Sequence, residues 1–144
     1  MKITRIDHVG VCVRDMDAAI PLWLKLLSGL DLGSREYVAA QKTQAAFLDG
    51  GAGSASVELI QPGRAGSADT NETLVKFLEQ RGGKAGLHHL AFAVDDLAAA
   101  LRELDAAGVP LIDKVPRPGA RGHLIGFIHP KASDGVLIEL VQDH

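Results

Sequence analysis

Apolar and β-branched residues form two similar runs along the chain, each around a histidine and each ending in aspartate. The runs are residues 6–15 and 87–96. Short runs of this kind are typical of β-strands. An aspartate that follows directly can accept hydrogen bonds from the free N–H groups at a helix start. We therefore predict two strand–helix units. The candidate caps are Asp15 or Asp17 for the first helix and Asp95 or Asp96 for the second.

Apolar side chains at helical spacing follow both sets of candidate caps. They are Ile20, Trp23, Leu24 and Leu27 in the first stretch and Leu97, Ala100, Leu101 and Leu104 in the second. The stripes end near Gly29 and at Gly108, and glycine is common just after a helix. Pro21 predicts a kink or a late start of the first helix, because it lacks the N–H that a helix interior uses.

Shorter patterns fill the rest of each half. Apolar runs separated by Gly, Pro and Asp predict strands over residues 45–48, 56–60, 124–128 and 136–141. An apolar stripe followed by two glycines predicts a short amphipathic helix over residues 70–81. That helix connects the two halves.

The two halves also repeat each other in sequence. The run around His8 aligns with the run around His89, and Val57–Gln61 aligns with Ile138–Gln142, both with a shift of 81 positions. A duplicated unit within 144 residues predicts one domain built of two modules. The modules are placed at about residues 1–62 and 85–144, with the helical connector between them.

Composition excludes several classes of function. Fifteen Lys and Arg residues against 18 Asp and Glu residues give a net charge of -3, which disfavours nucleic-acid binding. No apolar run approaches the roughly 18 residues of a membrane span, and the first residues do not resemble a secretory signal. The single cysteine, Cys12, cannot form a disulfide within the chain. We expect a cytosolic protein that is stabilised by apolar burial.

The strands around the two histidines each have one face of small residues. Side chains alternate along a strand, so His8 shares its face with Gly10 and Cys12. His89 shares its face with Ala91 and Ala93. Small neighbours leave room for a ligand beside each imidazole, while the bulky opposite face is expected to form the core.

Two glutamates repeat in the same way as the histidines. Glu58 and Glu139 are 81 positions apart, and each lies between aliphatic residues that point away from it. A carboxylate on an apolar strand costs free energy unless a cation compensates it or it reaches solvent. If the strands line a common cleft, two imidazoles and two carboxylates make a mixed N and O set suited to a divalent first-row metal. A structural zinc site is disfavoured, because the chain has no paired cysteines. A lone strand histidine is usually structural, so the hypothesis depends on the repeat.

At these positions the sequence resembles the methylmalonyl-CoA epimerases, a family of the vicinal oxygen chelate superfamily that also contains glyoxalase I. The resemblance covers nearly the whole chain and rests on Ile6–Gly10, Ala46–Leu48, Val57–Pro62, Gly86–Phe92, Val115–Ala120 and His129–Leu140. It implies an α+β fold of two βαβββ modules, which form a curved, open mixed sheet around a metal cleft. By matching position, the metal ligands would be His8, Glu58, His89 and Glu139. Cobalt is the metal that the resemblance favours; Zn²⁺, Ni²⁺ or Mn²⁺ would also suit these ligands.

The resemblance also implies a reaction, the inversion of C2 of methylmalonyl-CoA. Inversion requires proton exchange on two opposite faces of C2, and Glu139 is the first candidate for the catalytic base. Some relatives carry a second glutamate where this chain has Ala45, which leaves the second group open. Gln41, Gln44 or a metal-bound water are alternatives for it.

Other functions of the same superfamily remain open. They are a glyoxalase I-type isomerase (lactoylglutathione lyase), a binding protein without catalysis and, less favoured, an extradiol dioxygenase. The basic residues Arg117, Arg121, His123 and Lys131 are candidates for contacting a CoA phosphate, although scattered surface charge explains them equally well. We expect a homodimer, because sheet edges at the module ends offer a surface for association.

Overall fold

The computed structural model describes residues 1–63 and 68–143, and within them one order of elements occurs twice. The first set is β1 (Ile3–Cys12), α1 (Met16–Leu26), β2 (Asp31–Val38), β3 (Thr43–Asp49) and β4 (Ser56–Pro62). After the connecting helix α2 (Glu72–Gln80), the second set is β5 (Gly86–Val94), α3 (Leu97–Ala106), β6 (Arg117–Pro118), β7 (Leu124–Ile128) and β8 (Ile138–Gln142). Short 3-10 turns cover Ala39–Gln41, Ala120–Gly122 and Pro130–Ser133.

The strands of the described residues join in the order β2-β3-β4-β1-β5-β8-β7-β6. Strands β2, β3 and β4 pair antiparallel, whereas β5 and β8 pair parallel, and β7 pairs antiparallel with both β8 and β6. The sheet is therefore mixed, and the expected α+β fold of two βαβββ modules is confirmed. The chain divides into two compact units. One is Val9–His88, and the other is Met1–His8 together with His89–His144. Strand β1 contributes to both.

Aspartate caps begin the two main helices, and the structure decides between the candidates. Asp15 accepts hydrogen bonds from the backbone N–H groups of Asp17 and Ala18, and Asp96 accepts one from Ala99. Because the Asp15 cap fixes the first turn, α1 starts at Met16, so the predicted late start is wrong. Helix α1 continues through Pro21, whose missing N–H leaves the carbonyl four residues earlier without its helical partner.

Glutamines provide a second cap at both helices. The side-chain oxygen of Gln61, on β4, accepts the N–H of Met16 at 2.7 Å, and that of Gln142, on β8, accepts the N–H of Leu97 at 2.8 Å. The first N–H groups of a helix have no partner within the helix. In both modules the last strand therefore anchors the start of the helix that packs on it.

Each helix covers the bulky face of its neighbouring strands, as expected. In one unit, Val11, Val13, Leu48 and Leu59 pack against α1, and in the other, Val94 and Leu140 pack against α3. The small face is also buried, since Ala91 packs with Ile125 and Val141. In the described part of the chain, no helix combines the length and the apolar character that crossing a membrane requires.

Candidate metal centre

Among the residues that the structure describes, His8, His89 and Glu139 are buried in one unit and offer ligand atoms for a metal ion, and Glu58 is buried in the other unit. They are the four residues that the sequence repeat selected. They lie on β1, β5, β8 and β4, respectively. Burial of two carboxylates costs free energy unless positive charge is near. The donor set is therefore chemically suited to a cation.

Three of these side chains converge within the unit formed by Met1–His8 and His89–His144. The Nε2 atoms of the two histidines are 3.0 Å apart. Oε2 of Glu139 lies 3.3 Å from Nε2 of His8 and 3.0 Å from Nε2 of His89. The imidazole planes are nearly perpendicular, at 89°. Donor atoms about 2.1 Å from one ion and at right angles would lie about 3.0 Å apart. The triangle of nitrogens and oxygen therefore fits a metal ion.

Strand pairing explains how these residues meet. In the parallel pair, Ala91 of β5 lies opposite Glu139 of β8, so His89, two residues before Ala91, is on the same face as the carboxylate. In the antiparallel pair, Phe127 of β7 lies opposite Glu139. The Phe127 ring meets the His89 ring edge to face, with centroids 5.9 Å apart. Phe127 thus forms an apolar wall beside the imidazole.

Hydrogen bonding keeps the buried carboxylate ionised. Burial raises the pKa of Glu139, but the hydrogen bonds and charges of the His8 and His89 imidazoles outweigh it and lower that pKa to about 2. Glu139 is therefore a carboxylate at neutral pH. It can accept a proton or bind a cation.

Asp7 is part of the site and was missed by the sequence analysis. Its Oδ2 lies 2.8 Å from Nδ1 of His8, whereas the other ring nitrogen, Nε2, contacts His89 and Glu139. The hydrogen bond with His8 lowers the pKa of Asp7, against the opposing effect of burial. Neighbouring residues of a strand point to opposite faces, so the pattern gave no reason to pair them. The adjacent Asp7-His8 in the sequence was the available signal.

Glu58 lies in the other unit, on the face of β4 that points away from α1. Its neighbours Val57 and Leu59 contribute to the core beneath that helix. Phe47 of β3 lies opposite Glu58, and Ala45 lies opposite Ile60, so Ala45 is on the same face as Glu58. Ala45 and Glu58 are both buried.

The candidates for the second acid–base group have different surroundings from Ala45. Gln44 is on the opposite face, where its side-chain oxygen accepts a long hydrogen bond of 3.4 Å from Arg35. The backbone carbonyl of Gln41 accepts hydrogen bonds from Thr43 and Asn71. The cross-strand partner of Ala45 on β2 is Glu36, which shares its face and that of Glu58.

The remaining candidates have identifiable surroundings. Cζ of Arg117 lies 5.5 Å from the centroid of the Phe127 ring, and Nε of Arg117 lies 2.8 Å from Oδ1 of Asp113. The Nδ1 atom of His129 accepts the N–H of Lys131, so His129 shapes the turn that follows it. Burial raises the pKa of the Cys12 thiol to about 12, which argues against a nucleophilic role. Phosphate contacts by Arg117, Arg121, His123 and Lys131 stay a prediction.

A family model described as the glyoxalase/bleomycin resistance protein/dioxygenase superfamily matches residues 7–127. The chain therefore belongs to this superfamily. Its full-length relatives include methylmalonyl-CoA epimerases, as the motifs predicted. The ethylmalonyl-CoA/methylmalonyl-CoA epimerase of Cereibacter sphaeroides is 30% identical, over 97% of this chain and 98% of its own.

Two solved structures show the same similarity. Methylmalonyl-CoA epimerase from Mycobacterium tuberculosis has a TM-score of 0.85 and 37% identity, over 99% of this chain and 89% of its own. A variant of the Streptomyces coelicolor methylmalonyl-CoA epimerase was solved in complex with 2-nitronate-propionyl-CoA. It has a TM-score of 0.82 and 33% identity, over 99% of both chains.

Proposed function

We propose that this chain is a metal-dependent epimerase that inverts C2 of methylmalonyl-CoA. The observation that carries the proposal is the buried triangle of His8, His89 and Glu139, whose donor atoms lie 3.0 to 3.3 Å apart. Similarity to epimerases over nearly the whole chain supports the substrate. The superfamily also contains glyoxalases, so turnover of methylglyoxal with a thiol instead of methylmalonyl-CoA would favour a glyoxalase I-type isomerase.

The proposed ligands are His8, Glu58, His89 and Glu139. Glu58 is included because it is buried on the helix-free face of β4 and because it repeats Glu139 in the sequence. A divalent ion at this site supplies positive charge for the thioester oxygen, which becomes negative as the C2 proton leaves. Co²⁺ is our first choice of metal; Zn²⁺, Ni²⁺ and Mn²⁺ are also compatible with nitrogen and oxygen ligands.

Glu139 is the proposed base for one face of C2. Its Oε2 contacts both imidazoles, so we assign the proton transfer to Oε1. C2 is bonded to the thioester carbonyl and to the carboxylate of the substrate. Its proton is therefore acidic enough for removal by the Glu139 carboxylate. The wall formed by Phe127 beside His89 limits the access of water to this side.

Glu36 is the proposed acid–base group for the opposite face. Inversion requires a second group, and Glu36 shares a sheet face with Glu58. Its cross-strand partner Ala45 carries only a methyl group. Asp49 is on the same face, but its carboxylate accepts the Ser56 hydroxyl at 2.6 Å. Glu36 thus takes the role that some relatives give to a glutamate at the position of Ala45.

A hydrogen–deuterium exchange experiment tests the proposed reaction. Methylmalonyl-CoA is incubated in D₂O with the chain and Co²⁺, and deuterium at C2 and epimer composition are followed by mass spectrometry and NMR. We expect exchange with inversion, and a loss of at least 100-fold for Glu139→Gln. Glu72→Gln, on the connecting helix, is the matched control. Absence of exchange above background with metal bound would rule out the epimerase.

Two further expectations accompany the proposal. We propose a homodimer, because apolar side chains such as Leu26, Leu87 and Val115 are exposed on the single chain. Light scattering coupled to size exclusion checks it, and a monomeric mass at micromolar concentration contradicts it. The proposed site of action is the cytosol, where fluorescent tagging would show the protein throughout the cell interior.

A further inference from the structure

We propose that Asp7 is a positioning residue that fixes the ring of His8 for metal binding. The inference rests on the proposed metal site and concerns a residue that binds no metal itself. Oδ2 of Asp7 lies 2.8 Å from Nδ1 of His8. A carboxylate accepts hydrogen bonds, so Nδ1 carries the proton. Metal binding then requires only the loss of any proton from Nε2, the ring nitrogen beside His89 and Glu139, because the hydrogen bond to Asp7 keeps the remaining proton on Nδ1.

The second oxygen of Asp7 is held by a cation. Nη2 of Arg5 donates to Oδ1 of Asp7 at 2.9 Å, and Nη1 of Arg5 donates to Asp143. Asp143 follows β8, the strand of Glu139, and its backbone N–H donates to the carbonyl of Val94 at the end of β5. Arg5 therefore links Asp7 to the end of the strand pair that carries the other two ligands of this unit.

This arrangement is confined to one half of the sequence repeat. The position equivalent to Asp7 is His88, 81 residues later, and the His88 ring packs edge-on against Phe77 with centroids 5.1 Å apart. The two imidazoles therefore have different residues before them in sequence. A substitution at Asp7 should therefore act directly on His8 and reach His89 only through the contact between the two rings.

Chemistry predicts the direction of the effect. In Asp7→Asn the side-chain amide can donate to Nδ1, which moves the ring proton to Nε2 and removes the lone pair that binds metal. Loss of such outer carboxylates typically weakens metal binding by about 10- to 100-fold. Asp7→Ala removes the acceptor altogether and leaves the ring free to rotate.

The first test measures metal affinity rather than turnover. Zn²⁺ binding to the metal-free protein is measured by competition with a chromophoric chelator, and folding is checked by circular dichroism. We expect about 10- to 100-fold weaker binding for Asp7→Asn and Asp7→Ala, and a smaller loss for Arg5→Gln. Asp105→Asn, an exposed carboxylate on α3, is the matched control and should bind within twofold of the unchanged protein. Binding within twofold for both Asp7 variants would overturn the proposal.

The second test reads the proton on His8 directly. Nitrogen-15 spectra of the histidine rings in the metal-free protein should show a hydrogen-bonded proton on Nδ1 of His8, which Asp7→Asn removes. If the unchanged protein binds no Zn²⁺, the proposed metal site fails, while this signal still decides the role of Asp7. An identical Nδ1 signal in the two proteins would refute that role.

Discussion

At the scale of single residues, the sequence could reveal those site residues that recur at matching positions in the two halves and lie on one face of a strand. His8, His89, Glu58 and Glu139 repeat at equal spacing, and all four are buried. Contacts that depend on strand register gave no such signal. The pairing of Glu36 with Ala45 across two strands, for example, follows from the register of β2 and β3.

Replacement of Glu36 tests its proposed role as the acid–base group for the second face of C2. In Glu36→Gln we expect inversion of methylmalonyl-CoA to fall by about 100-fold or more, because one face of C2 loses its acid–base group. Deuterium exchange without inversion should persist from the epimer that Glu139 deprotonates. Simultaneous NMR of exchange and epimer composition measures both rates.

A second substitution provides the control for this prediction. In the Glu36→Gln background, Ala45→Glu returns a carboxylate to the same face, one strand nearer Glu58. Inversion should recover by tenfold or more. Unchanged inversion in Glu36→Gln would contradict the assignment of Glu36 to the second face.

At the scale of elements, helices with a clear cap and stripe were predicted closely, whereas strands without alternation were not. Helix α3 begins at Leu97, directly after Asp96, which was one of the two predicted caps. Strand β2 has the sequence DLGSREYV, with few apolar residues, and its pairing with β3 defines it. Strand β6 has two residues, too few for a pattern. The βαβββ order therefore came from the family resemblance.

The paired glutamine caps give a prediction at this scale. Gln61→Ala should lower the free energy of unfolding by about 1 to 3 kcal/mol, because it leaves the buried N–H of Met16 without a partner. Gln142→Ala should also lower the free energy of unfolding, because it removes the bond to the N–H of Leu97 and two bonds that the side-chain amide donates to the carbonyls of Asp95 and Asp143. Urea unfolding measures both values. Gln80→Ala, at the exposed end of α2, is the control, and a Gln61→Ala value equal to that of the control would contradict the capping role.

At the scale of the whole molecule, the sequence established which residues repeat but not how they meet. His8 and Glu139 lie 131 positions apart, and their contact depends on the pairing of β5 with β8 and on the position of β1. No local pattern encodes such long-range pairing. The repeat made convergence a reasonable hypothesis, and the structure provides the distances among three of the four proposed ligands, His8, His89 and Glu139.

Because the ligands come from distant strands, metal binding should stabilise the folded chain as a whole. Free Zn²⁺ at about 100 times its dissociation constant should raise the free energy of unfolding by about 2.7 kcal/mol, provided that it binds the folded state alone. Urea unfolding with and without Zn²⁺ measures the increment. His89→Ala should abolish it, whereas Asp105→Asn should retain it.

Acid should remove this increment before it affects the metal-free fold. Imidazoles must be deprotonated to bind a metal, so the Zn²⁺ increment shrinks as the pH falls below neutrality. In the metal-free protein, the pKa of Glu139 is lowered from 4.5 to about 2, so its contribution to stability is complete above pH 4.5 and is lost as the pH falls towards 2. Between neutrality and pH 4.5, the Zn²⁺-loaded and metal-free proteins should therefore become equally stable while Glu139 still contributes. A Zn²⁺ increment that stays constant down to pH 4.5 would show that the ion binds somewhere other than these imidazoles.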